Sequence, residues 1–254
     1  MRVLITNDDG IFADGIQELT MAIQKIASVY VVAPDRERSA VGHAITMHHP
    51  LRAERVKLFH SPNIPAWAVN GTPSDCVKLA VEAILPKKPD ILISGINRGA
   101  NLGTDVLYSG TVSAAIEAVI SGIPSIAISL TEVIKPDFSA AAEFAASLVK
   151  IFMEKDLPLD TLLNVNVPGI PREEIKGVAV TRLGTTKYQN EFEQRVDPRG
   201  RSYYWMVGEV VELDNGADTD LSAIRKNKIA ITPIQYDLTN YKLINSLESW
   251  EIDF

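Results

Sequence analysis

The sequence is poor in the features that mark several protein classes. It has one cysteine in 254 residues, so no intramolecular disulfide can form, and a reducing cytoplasm is the expected setting. Its four histidines are scattered, and with a single cysteine they supply no zinc spacing. The N-terminal stretch lacks a basic segment followed by a long apolar one, and no run approaches the length of a membrane span. No internal repeat or low-complexity tract occurs. Basic residues are in deficit: 25 Lys and Arg face 32 Asp and Glu, a net charge of -7. This argues against binding a nucleic-acid polymer or an anionic membrane through a basic surface. A small anion remains compatible if a metal or a helix end provides local positive charge.

What the chain has is apolar material, 46% of its residues, enough for a core without staples. The first apolar run, residues 3–6, stops on Asn7-Asp8-Asp9-Gly10. Successive strand side chains point to opposite faces, so Asp8 and Asp9 converge on one ligand only if the chain turns there, which Gly10 makes easy. One acid could cap the following helix. Two adjacent acids at a strand end suit a hard divalent cation better.

Ile16, Leu19, Ile23 and Ile26 recur at helical spacing, and residues 28–33 read as a second buried strand ended by Pro34. This strand, helix, strand unit predicts a doubly wound parallel sheet. A polar loop, residues 35–43, follows it. Residues 45–69, broken by Pro50, Pro62 and Pro65, read as an extended insertion. Thr72 as cap, Pro73 at the first position and Asp75 at the third predict a helix reaching about Leu85. Cys76 falls inside it, where a small buried apolar role is expected.

Residues 91–94 form another buried strand and lead into a loop rich in glycine and asparagine, residues 95–105, containing Asn97 and Asn101. Ser109-Gly110-Thr111 opens the next helix, a place where free N–H groups favour phosphate, though Thr111 also suits a plain cap. Further strands are expected at residues 125–130 and 162–167, with a helix at 138–153 between them. Beyond Pro168, strands at residues 176–183 and 202–207 flank a long polar stretch, 184–201, read as a projecting arm. Tyr203, Tyr204 and Trp205 fit an interface. The chain returns through residues 221–225 and a strand at 228–232, and a mixed tail completes it.

Asp8 and Asp9, Ser39, and Asn97 thus follow three strands and can meet at one sheet end. Two carboxylates, a hydroxyl and an amide oxygen suit Mg²⁺ or Mn²⁺. Ser39 and Asn97 taken singly are also ordinary turn residues. A metal site beside an anion site would make a phosphoryl-transfer centre.

Four stretches carry a resemblance: Leu4-Ile5-Thr6-Asn7-Asp8-Asp9-Gly10, Ala33-Pro34-Asp35-Arg36-Glu37-Arg38-Ser39, Val69-Asn70-Gly71-Thr72-Pro73-Ser74-Asp75 and Ser94-Gly95-Ile96-Asn97-Arg98-Gly99-Ala100-Asn101-Leu102-Gly103. With Tyr108-Ser109-Gly110-Thr111-Val112-Ser113-Ala114-Ala115, Asp197-Pro198-Arg199-Gly200-Arg201 and Ile231-Thr232-Pro233, they make the chain resemble the SurE (survival protein E) family of metal-dependent nucleotide phosphatases. The resemblance covers nearly the whole chain; the tail after Tyr241 carries no matching motif.

The resemblance implies a single domain, residues 1–254, with a three-layer α/β/α fold and an extended hairpin arm at about 184–206 used in homodimer or homotetramer assembly. It implies hydrolysis of nucleoside 5′-monophosphates, sometimes of 3′-monophosphates, and in some members trimming of polyphosphate. The implied cation, Mg²⁺ or Mn²⁺, is held by Asp8, Asp9, Ser39 and Asn97. Asn97, Asn101, Ser109, Gly110 and Thr111 match the phosphate-binding positions. Asp8 and Asp9 carry the chemistry, with Asp9 also expected to orient the attacking water. His43 is not assigned a catalytic role. Nucleobase selectivity is expected from loops such as residues 70–74 and from the arm. Competing readings are a nucleotide-binding module without turnover, a nucleotide-sugar transferase, and an aspartyl-phosphatase; the last two lack their usual acid spacing.

Overall fold

A computed structural model of the chain describes residues 1–132, 134–155, 158–212, 216–250 and 252. In chain order these form β1 (Arg2–Thr6), α1 (Asp14–Ile23), β2 (Ser28–Pro34), β3 (Ala53–Val56), β4 (Ala66–Val69), α2 (Pro73–Leu79), β5 (Ile91–Arg98), α3 (Gly110–Ile120), β6 (Ser125–Leu130), α4 (Ser139–Glu154), β7 (Thr161–Val167), β8 (Val178–Val180), β9 (Thr186–Val196), β10 (Ser202–Glu212), α5 (Asp220–Arg225), β11 (Ile229–Gln235) and α6 (Tyr241–Glu248).

Nine strands make one sheet in the order β3-β4-β2-β1-β5-β6-β7-β11-β8. The run from β4 through β7 is parallel; β3 pairs antiparallel with β4, and β11 antiparallel with β7. The central strands are apolar along their length because both faces are covered. Val3 and Ile5 pack with Ile16 and Leu19 of α1 and Ala145 and Val149 of α4. Leu4 between them points the other way, to Val77 of α2 and Val112, Ala115 and Val119 of α3. The result is the three-layer α/β/α arrangement expected from the crossovers. Cys76 lies fully buried in the second of these layers, where burial pushes its thiol far up and keeps it protonated.

The helix start at Thr72 holds as read. Asp75 N–H donates to the Thr72 hydroxyl at 3.1 Å and Thr72 N–H to the Asp75 carboxylate at 2.9 Å, and a π-helical turn, Ala80–Ile84, extends the helix beyond α2. The extended insertion supplies β3 and β4, which join the main sheet at its edge.

The arm differs in pairing from the sequence reading. The polar stretch is itself a strand: β9 pairs with β10 over eleven residues each, from Thr186↔Glu212 to Val196↔Ser202. Residues 176–183 contribute only β8, which pairs with β11 in the main sheet. The described side chains from Lys187 to Val196 are exposed, so this strand needs no apolar face and its sequence carries no alternation to reveal it. The Asp197-Pro198-Arg199-Gly200-Arg201 motif is its turn, the Asp197 carboxylate accepting from the N–H groups of Arg199 (2.8 Å) and Arg201 (2.9 Å).

Strand order reverses beside β1. The chain first builds outward through β2 and β4, then returns to the other side of β1 with β5, β6 and β7. In open α/β sheets, ligands bind in the crevice beyond the strand ends at such a reversal. The ends of β1 and β5 carry Asp8, Asp9 and Asn97.

Candidate active site

β1 ends at Thr6, and the chain turns on Gly10, whose φ of 101° lies in the region that favours glycine. The Asn7 side-chain amide donates to the Gly10 carbonyl at 2.8 Å and fixes the turn. Asp8 and Asp9 therefore leave the strand in a bend rather than on opposite faces.

Asp8 does not cap the helix that follows. α1 begins after Ala13, which gives it no side-chain cap. Asp8 instead sits on the N-terminus of α3: Thr111 donates its hydroxyl to Asp8 Oδ1 at 2.5 Å, and the Thr111 backbone also hydrogen-bonds the carboxylate. Gly110 makes this approach feasible, since a Cβ there would lie 2.8 Å from the Asp8 Cβ. Asp9 accepts at Oδ2 from the backbone N–H of Arg98 at 3.0 Å, which ties the end of β1 to the end of β5.

Both acids are hard to ionise. Burial, opposed by the Thr111 bonds and reinforced by the charge of Asp9, lifts the Asp8 carboxyl from 3.8 to about 6. Burial also raises Asp9, helped by the nearby charge of Glu37 and opposed by the Arg98 N–H.

The two acids open into a cavity of about 1250 Å³ that is also lined by Ser39, Asn97, Asn101 and Ser109. All four expected metal ligands thus face one space. The Ser39 hydroxyl donates to Glu37 Oε1 at 2.5 Å, leaving its oxygen lone pairs, and the Asn97 amide nitrogen donates to the Gly99 carbonyl at 2.9 Å, which leaves Oδ1 as its free acceptor. Ser109 caps α3 by accepting from Val112 N–H at 3.1 Å. Gly110 and Thr111 are not in the cavity lining: they stand behind Asp8. Residues 70–74 do not line it either, whereas Met206 of the arm does.

Among the described residues no three His, Cys, Asp or Glu side chains gather as a metal cluster. A cation here would need the mixed set of two carboxylates, a hydroxyl and an amide oxygen, a set suited to a hard ion that keeps several waters. The lining supports a cation on charge grounds as well. Asp14, Glu37 and Asp105 join Asp8 and Asp9, with Arg98 opposing them. A phosphate would meet this acidic wall unfavourably unless a divalent ion reversed the local sign.

His43 lies outside the cavity lining and is bonded through Nε2 to Glu117 at 2.9 Å. That bond holds the Glu117 carboxyl below its ordinary range, with Lys78 adding to the effect.

The model of the survival protein SurE family matches residues 3–190. The chain belongs to the SurE family. Proteins named 5′-nucleotidase SurE from Heliobacterium modesticaldum and Carboxydothermus hydrogenoformans are each 56% identical to it, over 98% of this chain and 92% and 96% of their own lengths. The protein of that name from Natranaerobius thermophilus is 54% identical over the full length of both. The crystal structure of the SurE protein from Aquifex aeolicus, 41% identical, matches the fold with a TM-score of 0.85 over 98% of each chain.

The SurE match contains every strand-end loop of the cavity, while Met206 and Asp220 lie beyond it. Several residues that shape the site were not singled out from the sequence, among them Ser129, Asn164 and Asn166, which hold the expected site residue Asn101. Asn101 is locked by its neighbours: its N–H donates to Asn166 Oδ1, its amide to the Ser129 hydroxyl at 2.8 Å, and its carbonyl accepts from Asn164 and Asn166, each at 2.9 Å. Two asparagines alternating with valines at the end of an apolar strand were the available signal. Asp220, fully buried, accepts from Gly103 N–H and Gly184 N–H, both at 2.8 Å, and so fastens the loop after β5 to the root of the arm. Nothing in its local sequence marks it.

Proposed function

We propose that this chain is a phosphatase that hydrolyses nucleoside 5′-monophosphates to nucleoside and phosphate, using a divalent cation, Mg²⁺ or Mn²⁺, held by Asp8, Asp9, Ser39 and Asn97. The observation that carries this reading is the pair of acids with raised pKa values, Asp8 buried and Asp9 half-buried, opening with Ser39 and Asn97 into one cavity at the sheet reversal. The names of the relatives agree with it.

When bound, the cation supplies Lewis-acid stabilisation of charge on the phosphoryl oxygens. The protein's part is to position groups. Thr111 holds Asp8 through Oδ1, and the Arg98 N–H holds Asp9 through Oδ2, so the remaining oxygen of each acid is aimed by a fixed bond. Asp9 Oδ1, left by the Arg98 bond to Oδ2, would orient the attacking water. The side chains of Ser109, Arg98 and Asn101 line the phosphate seat, the Ser109 hydroxyl and the Arg98 guanidinium as its donors, while Gly110 and Thr111 act through Asp8.

The chain works as one domain, 1–254, acting on small nucleotides rather than nucleic-acid polymers. Its compartment is the cytoplasm; among the described residues no helix is long and apolar enough to cross a membrane. The exposed Phe192, Tyr203, Tyr204 and Trp205 of the hairpin pair copies of the chain into a homodimer or homotetramer, which sedimentation would read. The deciding experiment is phosphate release from nucleoside 5′- and 3′-monophosphates and polyphosphate, with Mg²⁺, Mn²⁺ or chelator, for the wild type and Asp9→Asn. Release from monophosphates that needs the ion and drops at least a hundredfold in the variant supports the reading. No release with any ion, or equal release in chelator, sinks it.

A further inference from the structure

Resting on the nucleotidase reading, we propose that Phe12, braced by Phe59, is the platform on which the nucleobase of the substrate stacks. Phe12 lies on the turn between β1 and α1, three residues after Asp9, and lines the same cavity. Three residues span at most about 11 Å of chain, so the ring belongs to the same neighbourhood as the acids. Ile11 beside it is fully buried, yet Phe12 is 43% exposed. Its ring packs against Phe59, 71% exposed, with centroids 5.3 Å apart and planes tilted by 41°.

A single exposed phenyl ring would need no explanation. Phe12 in the lining, packed on Phe59 outside it, forms a preset apolar surface in a cavity that also holds the acids, with Tyr108, Pro136, Phe138 and Met206 among its other lining residues. A nucleoside monophosphate has that layout: a charged end, a sugar, and a flat base. The partner ring fixes the orientation of Phe12, so little freedom is lost when a base settles on it.

The chemistry of the platform sets what it selects. A phenyl ring has no polar atom with which to read base edges, and every base offers a π-face. Phe12 therefore distinguishes a nucleotide from a sugar phosphate, and purines from pyrimidines by contact area, without choosing between adenine and guanine. Phe59 acts through Phe12 and is a positioning residue.

The test compares kcat/KM for AMP, CMP and ribose 5-phosphate in the wild type, Phe12→Ala, Phe12→Leu, Phe12→Tyr and Phe59→Ala. Stacking of a base on one aromatic face predicts that the AMP to ribose 5-phosphate ratio falls about five- to thirtyfold in Phe12→Ala, chiefly through KM. Phe12→Tyr retains the ratio, Phe12→Leu does not, and Phe59→Ala gives a smaller fall. An unchanged ratio in Phe12→Ala, including the case where both substrates lose equally, overturns the platform. If the protein hydrolyses neither substrate, the nucleotidase reading falls separately. The platform is then decided by calorimetric binding: the ratio of AMP to ribose 5-phosphate affinity must drop by the same factor in Phe12→Ala, and an unchanged ratio or no AMP binding overturns it.

Discussion

Replacing Asp8 by Asn should abolish turnover and at the same time make the metal-free protein more stable. Asp8 is 6% exposed, and its carboxyl rises from 3.8 to about 6 in the folded chain. A shift of about two units corresponds to about 3 kcal/mol at roughly 1.36 kcal/mol per unit. The sign follows from proton counting. Between pH 4 and 6 the folded chain holds a proton at Asp8 that the unfolded chain has released, so stability falls as pH rises through that window. Above pH 6 the full cost is present. Asn has nearly the same shape and keeps an oxygen to accept from the Thr111 hydroxyl, but it carries no charge to bury. In chelator at pH 8, Asp8→Asn should be more stable than the wild type by up to about 3 kcal/mol, or about 6–12 °C in Tm for a chain of this size. The gap should close by pH 4. Added Mg²⁺ or Mn²⁺ should raise the Tm of the wild type and leave that of the variant nearly unchanged. Thermal unfolding across pH, with and without chelator, reads all of this. A variant less stable than the wild type at pH 8 in chelator, or a gap independent of pH, would refute the argument that the site is held against its own desolvation cost.

Gly110→Ala should lower stability by about 1–2 kcal/mol in urea unfolding and cut kcat more than tenfold, because the new Cβ would press on the Asp8 side chain at 2.8 Å; an ordinary helical Gly→Ala change stabilises by roughly 1 kcal/mol, so the sign is diagnostic. Asp220→Ala strips the acceptor from the N–H groups of Gly103, Gly184 and Leu221 and should cost about 3 kcal/mol or more in the same measurement. His43→Ala should change kcat less than twofold, since His43 is bonded to Glu117 outside the cavity lining and Lys78 still pairs with that acid. A tenfold loss there would make His43 a proton carrier after all.

The central sheet was legible because its strands are buried on both faces and read as unbroken apolar runs, and because crossovers between parallel strands follow one hand. That also made the convergence of Asp8, Asp9, Ser39 and Asn97 inferable, for strand ends in such a sheet lie together. Pairing within the arm was not legible: beyond the buried Thr186 the described side chains of β9 are exposed, so its composition looks like loop. The anchoring of Asn101 by Asn164 and Asn166 was hidden for another reason. Its bonds join residues 63 and 65 positions apart, and no local period records a contact of that range. Phe12 was hidden by its type, since a phenylalanine beside a strand end is usually core.

The position of Asp8 also changes what the start of α3 does in the proposed reaction. Read from sequence, that helix end offers free N–H groups and a positive dipole to a phosphate. In the structure the Asp8 carboxylate already takes the bonds of Thr111, and still its pKa stays raised, so those bonds offset only part of the cost of burial. Asp9 adds like charge rather than relief. A phosphate would have to displace Asp8 to use the Thr111 bonds, and an acidic lining that only Arg98 opposes does not draw one by itself. The helix dipole therefore serves the anion indirectly. It helps keep Asp8 ionised as a cation ligand, and the cation rather than the helix would carry the attraction for the substrate.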